Sequence, residues 1–116
     1  MIRRNLDYIN DIIDSIASIE KFINGIDFEN FKNDYKTIYA VVRALEIIGE
    51  AAKNISAEMK KKRPEIPWKN ISGMRDKLIH EYFGVNKNVV WDTIKRDLPD
   101  LKEKIEKLKE IYESED

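Results

Sequence analysis

The sequence predicts an all-α fold: an up-and-down bundle of four principal helices plus short ones, formed as a single domain over residues 1–116. Three observations lead there. Apolar residues recur every three or four positions over long stretches. No stretch alternates apolar and polar residues as a half-buried strand would, and none is a strand candidate. Only 4 Gly and 3 Pro interrupt the 116 residues, and a hydrophobic content of 42 % is enough to build a core.

The first helix is read from Ile2, Leu6, Ile9, Ile12, Ile13, Ile16, Ile19, Phe22, Ile23 and Ile26, which share one face and stop near Asn24-Gly25. Isoleucine lowers helix propensity, but packing of this face overrides it. Asp27 is placed to cap a short helical segment over residues 28–33. A second long pattern runs through Tyr35, Ile38, Val41, Val42, Leu45, Ile48, Ala52, Ile55 and Met59. Within it Ala44, Gly49, Ala51 and Ala52 keep the helix thin, so a neighbouring helix can approach closely.

The run KKKRPEIP ends that pattern, because Arg63 and Ile66 precede prolines and pre-proline residues disfavour helix. Pro67 suits the first turn of a third helix, expected from about Trp68 to Tyr82. Gly84 then stands where a left-handed C-terminal glycine belongs. Asn86 can cap the next helix, from Lys87 to about Arg96, and Pro99 should break or kink the chain just before it. Leu98, Leu101, Ile105, Leu108 and Tyr112 form the last apolar stripe, with charges on the opposite face.

Composition removes several function classes. The net charge of -1 gives no global argument for nucleic acid or membrane. The absence of cysteine excludes disulfides, thiolate metal sites and a cysteine nucleophile. With 1 His, a histidine-based zinc site would have to be shared between subunits. No metal and no cofactor is expected. The N-terminus carries Asp7 early and has no unbroken apolar run, and no segment approaches the ~18 apolar residues of a membrane span. A soluble, cytoplasmic protein with no membrane partner is the expectation. Charge is unevenly spread: from Lys53 to Ile79, eight Lys/Arg stand against three Asp/Glu. Such a basic segment suits a polyanion, or is a solvated loop.

The only histidine, His80, lies in GMRDKLIHEYFGV, residues 73–85. On the expected helix, Asp76 and His80 are one turn apart and share a face. Arg75 is about 140° around from His80 on that helix, yet its long side chain could reach a ligand near the helix end. Such a set could cleave RNA without metal. An imidazole near its ordinary pKa of ~6.5 can take the proton from a ribose 2′-hydroxyl or give one to the leaving 5′-oxygen. A guanidinium grips phosphate oxygens in a fork. A carboxylate one turn away can orient the imidazole and choose its tautomer. The same spacing also suits a plain helix end, where His80 meets the dipole and Tyr82 and Phe83 close the core. Arg43, Glu46 and Glu50 lie beside the thin part of the second helix, either supporting the site from behind or forming a solvated polar stripe.

Arg75, Asp76, the three residues 77–79 and His80 resemble the signature of the HEPN superfamily. The extension R-x4-H-x-Y, matched by Arg75, His80 and Tyr82, resembles its HepT-like branch. RALEIIGEAAKNIS, PWKNISGMRDKLIHEYFGV and VVWDTIKRDLPDL are similar to that branch too, so the resemblance covers nearly the whole chain. Many members have Asn where this chain has Asp76. The resemblance implies a metal-independent endoribonuclease, acting on tRNA or mRNA as a homodimer whose two motifs line one cleft. It implies that His80 is the acid/base residue, Arg75 the phosphate binder and Asp76 the polar positioning residue. It further implies a toxin–antitoxin pair, in which an MntA-like minimal nucleotidyltransferase neutralises the toxin by transferring AMP from ATP to Tyr82. The alternative is a non-catalytic helical subunit that supplies part of a nucleotidyltransferase's nucleotide or substrate site.

Overall fold

The computed structural model describes residues 3–80 and 84–114, and of Arg75, Ile79 and His80 the backbone alone. Helix α1 (Asn5–Phe22) begins with a carboxylate lock, where Asp7 accepts the backbone N–H of Arg4 at 2.9 Å. It stops before Gly25, whose φ of 76° is open to glycine at no steric cost. Asp27 caps α2 (Phe28–Phe31) by accepting from the N–H of Asn30. Asp34 caps α3 (Tyr35–Asn54), and hydrogen bonds from the Thr37 hydroxyl and N–H hold its carboxyl below the usual carboxylate range.

Three side-chain links show how these rods run. Asn5 and Ser56 exchange two hydrogen bonds of 3.0 Å, which pins the start of α1 beside the end of α3 and makes the two antiparallel. Ser56 also caps α4 (Ala57–Lys62). Lys102 meets Glu20 at 2.9 Å, so the start of α8 (Leu98–Ser114) lies beside the end of α1. That carboxylate hydrogen bond raises the Lys102 ammonium above its ordinary pKa, but the pair is half-exposed and adds little stability.

α1 therefore lies between α3 and α8, while α5 (Trp68–Ser72) and α6 (Met74–Leu78) cover another side of α3. The core is one buried cluster, with Ile9, Ile12, Ile16 and Ile19 from α1 meeting Ile38, Val41, Leu45 and Ile48 from α3. Leu98, Leu101, Ile105 and Leu108 of α8 complete it. Phe31 of α2 is fully buried against Trp91 of α7 (Lys87–Asp92), with ring centroids 4.9 Å apart. The fold is all-α, as the 3–4 periodicity predicts. Among the described residues, no helix is long and apolar enough to cross a membrane.

Several expectations need correction. The long second pattern ends at Asn54, because Ile55 turns to extended backbone and Ser56 starts a new helix. Tyr35, which opens that apolar pattern, is 57 % exposed. The expected helix over 68–82 is broken at Gly73 and ends at Leu78. Beyond it the chain pairs as β1 (Ile79–His80) with β2 (Gly84–Val85), antiparallel, although the sequence shows no strand candidate. Gly84 does take the left-handed φ of 74°, but in β2 rather than after a helix. Pro99 does not break the chain, and the distortion expected just before it is a π-helical turn. That turn, over Thr93–Asp97, joins α7 to α8, and its wider winding makes room for a proline ring that would otherwise press on the carbonyl four residues back.

Candidate functional site

The backbone carrying Arg75 and His80 is fixed from both ends. At the upstream end, Pro67 opens α5, and Trp68 turns its indole N–H onto the carbonyl of Arg63 at 3.0 Å. The end of α5 abuts α3 at Gly49: a Cβ there would stand 3.0 Å from the carbonyl oxygen of Ile71. This is the close approach that the small residues of α3 permit. Met74 and Leu78 then bury one side of α6, Leu78 completely.

At the downstream end the N–H of Asn86 donates to the carbonyl of Leu78 at 3.0 Å. Asn86 also accepts from the N–H of Val89, starting α7. Between these anchors the register places Ile79 opposite Val85 and His80 opposite Gly84. Val85 packs against the core. The position across from His80 is thus a glycine with no side chain, and nothing lies within 4 Å of where a Cβ on it would be. Glycine is needed there for its positive φ, not for lack of room.

The residues singled out from the sequence fall as follows. Arg75 is the second residue of α6 and His80 the last of β1. Asp76 is exposed and has no hydrogen-bond or ion-pair partner among the described residues. The helical face meant to hold Asp76 and His80 together does not exist, because α6 ends between them at Leu78. Tyr82 lies outside the described residues. On α3, Arg43 and Glu50 are exposed and Glu46 is half-buried.

The basic tetrad Lys60 to Arg63 is not beside His80 within one chain. It follows the C-terminal end of α3, whereas Lys87, three residues past Gly84, reaches Tyr35 at the N-terminal end. Twenty residues of α3 put about 28 Å between those ends. A groove of about 820 Å³ does open beside α6, between α5–α6 and the π turn with the start of α8. Lys69, Lys77 and Arg96 line it against Asp97 and Asp100, so it carries little net charge. Among the described residues, no group of three or more His, Asp or Glu could hold a metal ion.

A feature not singled out from the sequence is a pair of exposed tyrosines, Tyr35 and Tyr39, at the α3 end that Lys87 reaches. Their four-residue spacing signals one helix face, but tyrosine suits core and surface alike.

The family model described as Ribonuclease HepT-like matches residues 12–108. The "Probable ribonuclease HepT" of Thermococcus cleftensis is 55 % identical over 109 residues, 94 % of this chain and 99 % of that protein. A "Putative RNase" of Caldanaerobacter subterraneus subsp. tengcongensis is 45 % identical over 93 % of this chain and 94 % of its own length. A "Putative RNase" of Methanocaldococcus jannaschii is 43 % identical over 94 % of this chain and 90 % of its own. No solved structure matches.

Proposed function

The chain belongs to the HepT-like ribonuclease family, and on that premise we propose that it is a metal-independent endoribonuclease, the toxin of a toxin–antitoxin pair. The observation that carries this reading is the backbone of residues 73–80 and 84–86. An arginine sits on α6, which follows the contact of α5 with Gly49 and is held by the buried Met74 and Leu78, and a histidine five residues on sits in a strand tied down at Leu78 and Asn86. Two reacting groups on short, anchored elements are what a positioned acid–base reaction needs.

In this reading the protein works as a homodimer with both motifs in one cleft. His80 of one copy takes the proton from the ribose 2′-hydroxyl as that oxygen attacks phosphorus. His80 of the other copy protonates the 5′-oxygen as the P–O5′ bond breaks. The products are a 2′,3′-cyclic phosphate and a free 5′-hydroxyl. Arg75 binds the phosphate oxygens and offsets the charge that builds on them. Asp76 acts by polarity near the scissile phosphate rather than by stacking on His80 along a helix. Arg43, Glu46 and Glu50 support the site from α3. The substrate is tRNA or mRNA.

The test is cleavage of total tRNA in EDTA by the purified protein, with its intact mass recorded. Cleavage is expected. RNA left whole by protein of unmodified mass that binds ATP or AMP would instead make the chain a nucleotide-binding subunit.

An MntA-like nucleotidyltransferase would neutralise the toxin at Tyr82, two residues from His80. The phenolic oxygen attacks the α-phosphorus of ATP, pyrophosphate leaves, and AMP stays on the tyrosine. The added phosphate competes with RNA for Arg75, and the nucleoside blocks the cleft. Tyr82→Phe is therefore expected to keep RNase activity but gain no AMP mass when incubated with ATP and that partner. AMP found on another residue of the parent protein would overturn the assignment.

A further inference from the structure

α3 presents a stripe whose two tyrosines the reaction above does not use. Tyr35, Tyr39 and Arg43 follow one another at four-residue steps, so they lie along one face. The two tyrosines are 57 % and 62 % exposed, the most exposed large hydrophobic side chains among the described residues. Their ring centroids are 6.5 Å apart and their planes 34° from parallel. Lys87 fixes the first of them: its ammonium lies 4.4 Å from the Tyr35 ring centroid and donates to the phenol oxygen at 3.1 Å. Lys36 and Arg43 are exposed on either side, with no ion-pair partner among the described residues. Of the nearby carboxylates, Asp34 is engaged in capping α3 and Glu46 is half-buried.

The stripe runs beside the catalytic segment. Ile71 and Ser72 touch α3 at Gly49, and Lys87 touches it at Tyr35. The chain between those two contacts carries Arg75 and His80. The α3 residues between them are 35–49.

We propose that Tyr35, Tyr39 and Arg43 form a stacking platform for single-stranded RNA, holding the bases next to the scissile phosphate. The proposal rests on the ribonuclease reading and adds to it how substrate is gripped. Aromatic faces accept any unpaired base, a guanidinium plane adds a third stacking surface, and the surrounding ammonium groups face the phosphates. Charge argues for RNA over a second copy of this chain. A two-fold contact centred on the stripe would press Lys36, Arg43 and Lys87 against their own duplicates, whereas RNA brings opposite charge. The platform selects unpaired over paired RNA and is tolerant of base identity.

The probe is a fluorescein-labelled oligouridine with 2′-O-methyl riboses, which cannot be cleaved because the attacking hydroxyl is blocked. Binding to the full chain is read by anisotropy in EDTA, beside an abasic oligomer of equal length. Tyr39→Ala is expected to weaken oligouridine binding about tenfold, while Tyr39→Phe keeps the parent's affinity. The abasic oligomer should bind parent and Tyr39→Ala alike. Equal oligouridine binding by parent and Tyr39→Ala overturns the platform, as does a parent that does not bind at all. A Tyr39→Ala protein that sediments at half the parent's mass would also overturn it, by making the stripe a contact between copies. Because the probe is uncleavable, the platform is judged apart from catalysis. The tenfold loss without tRNA cleavage by the parent would keep the platform and remove the nuclease, and cleavage with no loss would do the reverse.

Discussion

His80→Ala abolishes RNA cleavage and leaves the fold intact: that is the largest expected effect on activity. Loss of a positioned acid–base group costs about 10²- to 10⁴-fold in rate. In the proposed cleft of two copies a variant dimer would lose both the base and the acid, which would push the effect to the upper end or beyond. The fold should survive because the segment is held by other groups. The buried Leu78 side chain, the N–H of Asn86 and the pairing of Ile79 with Val85 do not depend on the imidazole. The position across the ladder is Gly84, so no cross-strand side-chain pair is lost. Parent and variant are compared on total tRNA in EDTA, with circular dichroism to confirm equal helicity. A variant that cleaves like the parent would show that His80 is not the catalyst.

Leu78→Ala carries the largest expected effect on stability. Leu78 is fully buried at the end of α6, and truncating such a leucine costs about 2–5 kcal/mol through lost apolar burial and the cavity left behind. A domain of this size has only about 5–15 kcal/mol in total. The carbonyl of Leu78 also receives the N–H of Asn86, so the position ties α6 to the start of α7 around the hairpin. The urea midpoint should fall with the slope unchanged. RNase activity should fall further than the folded fraction does, because Arg75 and His80 lie on either side of the loosened residue. An unchanged midpoint would mean that α6 collapses onto α3 without a cavity. Activity that tracks the folded fraction would mean that the hairpin is held without Leu78.

What was legible in the sequence follows from how local each signal is. The α1 face was legible because Ile9, Ile12, Ile16 and Ile19 need only helical spacing, and all are buried. The caps at Asp27 and Asn86 were legible because an N-cap acts within three residues. The thin stretch at Gly49 was legible as an approach site, and it receives the end of α5. The end of α6 was not. No proline or glycine lies between Gly73 and Gly84, and the chain leaves the helix through pairing with residues 84–85, a contact that no window on residues 74–82 contains. Arg75 therefore lies on α6 and His80 on β1, and the face proposed for Asp76 and His80 was drawn on a helix that stops between them. The basic run Lys60 to Arg63 is near His80 in sequence and far from it along α3, because the chain reverses between them. Tyr35 matched the core period and lies outside it, since periodicity assigns a face but not what covers that face.

The π turn at Thr93–Asp97 sets the phase of everything after it. Val90, Ile94 and Leu98 are all buried at two successive steps of four residues, a rhythm slightly long for an α-helix but natural to the wider turn. One residue fewer between Asp92 and Leu98 would make an ordinary helix in isolation. It would also rotate the rest of the rod by about 100°. Ile105 and Leu108 would swing toward solvent, and the charges of KEKIEKLKE would swing toward α1. The chain thus tolerates sequence change in α8 more readily than change in residue count ahead of it: a single-codon deletion there is a rotation of the whole C-terminal helix.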